Sequence, residues 1–216
     1  MRLYLDSADR QAIRVALGSG IVYGVTTNPT ILRRAGLRAA EVPDLARTVL
    51  GWGARELLLQ TYAADTASMV ADGRALAAPD RDRIIVKIPA TPEGYAAGAR
   101  LAGEGYRVAL TAVYTLRQAV LAGSAGACCV AVYLGRIRDS GDDALALVGQ
   151  MQRALEAQRL AVAILAASVR DPAEVDALAG LGVAMVTLPP AVFARVLDAP
   201  GTAAAAAAFR ADAEAL

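Results

Sequence analysis

Histidine is missing altogether from these 216 residues. Ser-His-Asp and Cys-His catalysis and the usual zinc sites are therefore closed to the chain. Any acid–base work falls to Lys, Asp, Glu, Tyr or a hydroxyl. Lysine is nearly missing: the 22 basic residues are 21 arginines and one lysine, Lys87. Asparagine occurs once, as Asn28. The two cysteines, Cys128 and Cys129, are adjacent. Neighbouring side chains on a strand point to opposite faces, so they read as two small buried hydrophobes rather than a disulfide. With no disulfide framework and no signal-peptide pattern, a reducing cytoplasm is the expected compartment. A charge excess is also lacking. The net charge is +1 and the arginines are scattered, so nothing points to nucleic acid or to an anionic membrane. One uncharged window, Gln118–Gly135, has transmembrane length. Gly123, Ser124 and Gly126 break it into a helix end and a strand, so a membrane span is not expected.

What is present is apolar and alanine-rich: 56% of residues are hydrophobic and only 5% are aromatic. Short apolar runs alternate with helical patterns. The strand candidates are Arg2–Asp6, Ile21–Thr26, Glu56–Tyr62, Ile84–Ile88, Arg107–Thr111, Cys128–Tyr133, Ala161–Ala167 and Ala184–Leu188. Most are continuously apolar, as strands covered on both faces are. Between them, Asp9–Leu17, Glu93–Ala102 and Asp142–Gln158 carry apolar residues at three- and four-residue spacing. The segments beginning at Thr91 and Asp171 start with a capping residue and Pro, place an acid in the first turn, and end in Gly. Eight strand–helix units in one α/β domain spanning residues 1–216 predict a parallel (β/α)8 TIM barrel, with an open doubly wound sheet as runner-up. No nucleotide-binding glycine motif is present. The Ala203–Ala208 run reads as part of a C-terminal helix over about residues 202–216, with a frayed end as the alternative.

In such a barrel the site lies at the C-terminal strand ends. Those ends collect Asp6, then Thr26, Thr27 and Asn28, then Gln60, Lys87, Thr111, Tyr133 with nearby Arg136, and Ser168. The bland reading of each is capping or rim solvation. Lys87 resists it. Arginine serves as the surface cation everywhere else in the chain, and only an amine can deprotonate and attack a carbonyl to form a Schiff base. A free lysine titrates near about 10.4, and burial against Ile85 and Ile88 would lower that by desolvation. Proton-transfer helpers are Asp6, Tyr133 and a water held by Gln60 and Thr111. Arg136 and Ser168 offer an anion site, with Arg170 or Arg33 as further candidates.

The segments "LYLDSAD", "GVTTNPTIL", "IVKIPATPEG", "TAVYT", "VYLGRI" and "LAASVRDP" cover nearly the whole chain in order. They resemble the transaldolase family, and within it the short fructose-6-phosphate aldolase subgroup. The resemblance implies a (β/α)8 barrel, a Schiff-base lysine matched by Lys87, and no metal or other cofactor. Its substrates would be sugar phosphates and dihydroxyacetone-type molecules. It also implies a homo-oligomer, a pentamer or a decamer of stacked rings, with the C-terminal helix reaching a neighbour. Gln60 and Tyr133 look like the aldolase branch, where transaldolases carry Glu and usually Phe. Leu110 and Val132 stand where that branch has Gly and Pro, and are expected to shape the pocket. The implied catalytic set is Lys87, Asp6, Gln60, Thr111 and Tyr133. The implied substrate-binding set is Thr26, Asn28, Arg136 and Ser168. The reaction so implied is class I cleavage or formation of fructose 6-phosphate from dihydroxyacetone and glyceraldehyde 3-phosphate. A transaldolase passing the same unit between sugar phosphates is the first alternative. A non-catalytic sugar-phosphate-binding barrel is the remote one.

Overall fold

The computed structural model of the protein describes residues 1–216, and its eight parallel strands close into a barrel in sequential order. In chain order the elements are β1 (Arg2–Asp6), α1 (Arg10–Gly18), β2 (Val22–Thr26), α2 (Pro29–Arg34) and α3 (Val42–Gly51). Next come β3 (Glu56–Gln60), α4 (Thr66–Ala77), β4 (Ile84–Pro89), α5 (Pro92–Gly103), β5 (Val108–Val113) and α6 (Leu116–Ser124). The chain ends with β6 (Cys129–Tyr133), α7 (Leu134–Asp139), α8 (Ala144–Ala157), β7 (Ala163–Ala167), α9 (Pro172–Gly180), β8 (Met185–Leu188), α10 (Pro190–Leu197) and α11 (Pro200–Glu214). Closure is made by β1 on β8, with Arg2 paired to Met185 and Leu5 to Leu188, which rules out the open sheet. The helices start where side chains can satisfy their free N–H groups. Asp9, Asn28, Asp65, Thr91, Thr115, Asp143 and Asp171 each accept from a backbone amide in the first turn.

Two layers of apolar side chains follow from strand alternation. One parity faces the helices and forms the large outer core, including Leu59, Val86, Ile88, Leu110 and Val132. The other parity fills the barrel with Tyr4, Leu58, Ile85, Ala109, Cys129, Ala131, Leu165 and Met185. At the bottom of the barrel the buried Glu56 carboxylate accepts from the Tyr4 hydroxyl and pairs with Arg107 at 2.5 Å and Arg2 at 3.3 Å.

Several element ends shift from the sequence reading. The third strand stops at Gln60, because the pairing with β4 ends at Gln60↔Lys87 and the chain turns toward the Asp65 cap. The fifth strand runs on to Val113 through a bulge, where Ala112 takes a left-handed φ of 58° and Val113 then pairs with Val132. The Gln118–Gly135 window divides between α6, β6 and the start of α7, and no helix is long and apolar enough to cross a membrane. The last helix, α11, buries none of its residues.

Candidate active site

Two residues above the barrel-filling layer, the same inward parity turns polar. Tyr4 is followed by Asp6, Leu58 by Gln60, Ile85 by Lys87, Ala109 by Thr111, Ala131 by Tyr133 and Met185 by Thr187. Asp6, Lys87, Tyr133 and Thr187 of this ring line a cavity of about 240 Å³ together with Asn28, Arg34, Arg136 and Ser168, while Gln60 and Thr111 lie outside its lining. It opens at the C-terminal ends of the strands, where barrels of this type place their chemistry.

Lys87 is 3% exposed and donates one hydrogen bond, from Nζ to the Thr27 carbonyl at 2.9 Å. Desolvation holds its amine below the ordinary lysine range, and the nearby Asp6 charge opposes this in part. Burial pushes the Asp6 carboxyl up from its ordinary value, while Lys87 and a hydrogen bond from Thr26 pull it back. Both shifts favour the neutral forms. A neutral amine is what nucleophilic attack needs, and a raised carboxyl pKa makes Asp6 a readier proton acceptor. Thr26 Oγ1 sits 2.6 Å from Asp6 Oδ1 and 2.7 Å from Thr187 Oγ1.

Across the cavity, Thr111 Oγ1 donates to the Tyr133 hydroxyl at 3.2 Å. Gln60 is not bonded to either. Its Oε1 is buried without a hydrogen-bond partner, next to Lys87 in the strand register. Asn28 caps α2 by accepting from the Ile31 amide at 2.9 Å with Oδ1, which leaves its NH2 group to donate into the cavity. The capping and site readings of Asn28 are thus compatible.

The mouth of the cavity is cationic. Arg136 stacks its guanidinium 4.8 Å from the Tyr133 ring centre and donates to the Tyr114 hydroxyl at 3.4 Å. It makes no ion pair with an acid. Ser168 adopts φ 59°, a left-handed conformation uncommon for serine, and its carbonyl accepts from the Gly135 amide at 3.1 Å. Gly135 has to be glycine: a Cβ there would lie 2.5 Å from the Ser168 carbonyl oxygen and 2.8 Å from its Oγ.

Four expectations need correction. Arg170 is not a free anion ligand, because Asp139 holds it in a two-armed pair at 2.7 and 2.6 Å. Arg33 lines a separate groove with Leu37 and Val42, and Arg34 points to the cavity instead. Helical phase is the signal that was available, since Arg34 follows the cavity-lining Thr30 by four residues and Ile31 by three. Leu110 and Val132 do not shape the pocket: both are fully buried in the outer core against the helices. Thr187, penultimate in its strand candidate rather than at the strand end, joins the site as well, and the inward parity from Met185 marks it.

The sequence profile of the family described as "Transaldolase/Fructose-6-phosphate aldolase" matches residues 3–216. The chain is similar to a probable transaldolase of Thermus thermophilus, 37% identical over 212 residues that cover 94% of this chain and 93% of the relative. It is also similar to a probable transaldolase of Pelotomaculum thermopropionicum, 34% identical over 98% of this chain and 97% of the relative. Among solved structures, thiamine phosphate pyrophosphorylase from Pyrococcus furiosus superposes with a TM-score of 0.59 over 87% of this chain and 85% of its own, at 16% identity, a likeness of fold alone. The chain belongs to the transaldolase/fructose-6-phosphate aldolase family.

Proposed function

We propose that the protein is a class I enzyme that forms a Schiff base through Lys87 and cleaves or makes fructose 6-phosphate from dihydroxyacetone and glyceraldehyde 3-phosphate. The observation that carries the reading is the one lysine of the chain, 3% exposed, at the floor of the polar cavity. The neutral Nζ attacks the C2 carbonyl, and the carbinolamine loses water to give an iminium. Loss of the C4 hydroxyl proton breaks the C3–C4 bond. The electron pair moves onto the iminium, releasing glyceraldehyde 3-phosphate and leaving an enamine. Protonation at C3 and hydrolysis free dihydroxyacetone and regenerate Lys87.

A water held by the Thr111–Tyr133 pair and by the unpartnered Gln60 Oε1 fits these proton transfers. Asp6 and the Asn28 amide hold substrate hydroxyls, and Thr26, buried behind them, steadies Asp6. Arg136, Ser168 and Arg34 form the seat for the sugar phosphate at the mouth.

A transaldolase passing the three-carbon unit to an aldose phosphate is the second reading, favoured by the names of the relatives. One assay separates the two. Fructose 6-phosphate is supplied with no acceptor aldehyde, and free dihydroxyacetone is followed. Its steady release supports the aldolase. Silence until erythrose 4-phosphate is added supports the transferase. The exposed α11, with Phe209 70% exposed, and the apolar groove between α1 and α10 support assembly of several copies, which light scattering measures directly.

A further inference from the structure

Thr26 stands between Asp6 and Thr187, with its Oγ1 at 2.6 Å from Asp6 Oδ1 and 2.7 Å from Thr187 Oγ1. A hydroxyl has one hydrogen to give. An ionised Asp6 is a pure acceptor, so the Thr26 hydrogen goes to Oδ1. The second contact must then use the Thr187 hydrogen. The chain therefore has a direction, Thr187 to Thr26 to Asp6, across three strands that meet where the barrel closes. Thr26 is 1% and Thr187 2% exposed, so solvent has little access to either link. Asp6 Oδ2 makes no hydrogen bond to the protein.

We infer that Thr187 is a positioning residue for Asp6: acting through Thr26, it holds Oδ1 in place and leaves Oδ2 as the oxygen that meets the substrate. The same chain bears on when Asp6 is charged, because a donor aimed at a carboxylate favours its ionised form. The other groups facing Asp6 around the cavity are Lys87 of β4, Tyr133 of β6, Arg34 of α2 and Arg136 of α7; β7 supplies no titratable group there. Valine at position 187 keeps the shape and loses the donor. A methyl cannot stand 2.7 Å from a hydroxyl oxygen, so Thr26 is displaced from Asp6 as well. The catalytic meaning of the inference rests on the Schiff-base reading above, but its measurement needs no substrate.

The test is an NMR titration of the full chain labelled at aspartate Cγ, with the Asp6 signal assigned by Asp6→Asn. Thr187→Val moves the Asp6 midpoint upward. Thr187→Ala, which brings no methyl against Thr26, moves it the same way. Thr187→Ser keeps the wild-type midpoint. In a Thr26→Val background, Thr187→Val has no further effect, because the path is already cut. Wild-type midpoints in both the Val and Ala variants overturn the inference, and so does a Ser variant shifted as far as Val. In turnover, Thr187→Val lowers kcat by about fivefold to tenfold with KM little changed, the rate equivalent of one ordinary hydrogen bond. Borohydride trapping of wild type with dihydroxyacetone tests the Schiff base separately. No adduct, together with a shifted Asp6, retires the reaction and leaves the Thr187–Asp6 coupling standing.

Discussion

Lys87 reaches past β3 to give its one hydrogen bond to the main-chain carbonyl of Thr27, at 2.9 Å. The amine is thus held by a neutral acceptor rather than by a carboxylate. A carbonyl steadies the ammonium far less than a full negative charge at contact would. Burial therefore wins, and Lys87 lies below the ordinary lysine range.

Trapping at Lys87 with dihydroxyacetone and borohydride rises with pH, with a midpoint under the ordinary lysine value of about 10.4. Asp6 raises the Lys87 pKa, so removing its charge must lower it further. Asp6→Asn is expected to move the trapping midpoint to lower pH while turnover falls. Mass spectrometry of the adduct across pH measures this, and an upward shift would contradict the assignment.

Tyr133→Phe removes the hydroxyl that Thr111 reaches at 3.2 Å and leaves the ring under Arg136. Water is then held less firmly where the enamine takes up its proton. Free dihydroxyacetone release falls by about a hundredfold, the low end for one acid–base partner. Transfer to an added aldehyde falls less. The check is the ratio of the two rates in one enzyme; an unchanged ratio would sink the role given to Tyr133.

Arg136→Ala and Arg34→Ala each raise KM for phosphorylated substrates. A charge-assisted bond is worth about 1.5–3 kcal/mol, equivalent to roughly tenfold to a hundredfold. Dihydroxyacetone carries no anion, so its trapping at Lys87 stays near wild type. Equal losses with both kinds of substrate would mean that these arginines hold the fold rather than the phosphate.

Gly135→Ala pushes a Cβ to 2.5 Å from the Ser168 carbonyl oxygen. Relief requires Ser168 or the start of α7 to move. Unfolding by urea should show a loss of about 1–3 kcal/mol, the usual cost of overpacking, together with a raised KM for phosphate esters. Stability and KM both at wild-type values would contradict the contact.

Glu56→Gln separates stability from chemistry. The Glu56 carboxylate ties Tyr4, Arg2 and Arg107 together at the end of the barrel opposite the cavity. Arg2 and Arg107 are each about a third exposed, which discounts the pair. A loss of about 2 kcal/mol is expected, below the range for a fully buried pair. The kcat of the folded variant should match wild type. A large fall in kcat with unchanged stability would reverse the assignment.

Much of this molecule is legible in the chain itself. The alternation of apolar runs and capped helices sets the eight strand–helix units, because each pattern has only one period that buries its apolar side. The inward parity set by Ile85 carries Lys87 to the cavity, and the same counting from Met185 reaches Thr187. Composition alone isolates Lys87: with no histidine, the chain leaves few groups able to attack a carbonyl.

Contacts between distant segments were not legible. The ion pair with Asp139, distant in sequence, decides that Arg170 is not free to serve the cavity. Strand parity combined with closure sends Leu110 and Val132 outward to the helices. The short-range pattern dictates which side chains share a face, since φ and ψ fix that locally. Which faces meet, how far Thr187 lies from Thr26, and what the Lys87 amine touches depend on barrel closure, and only the tertiary structure decided them.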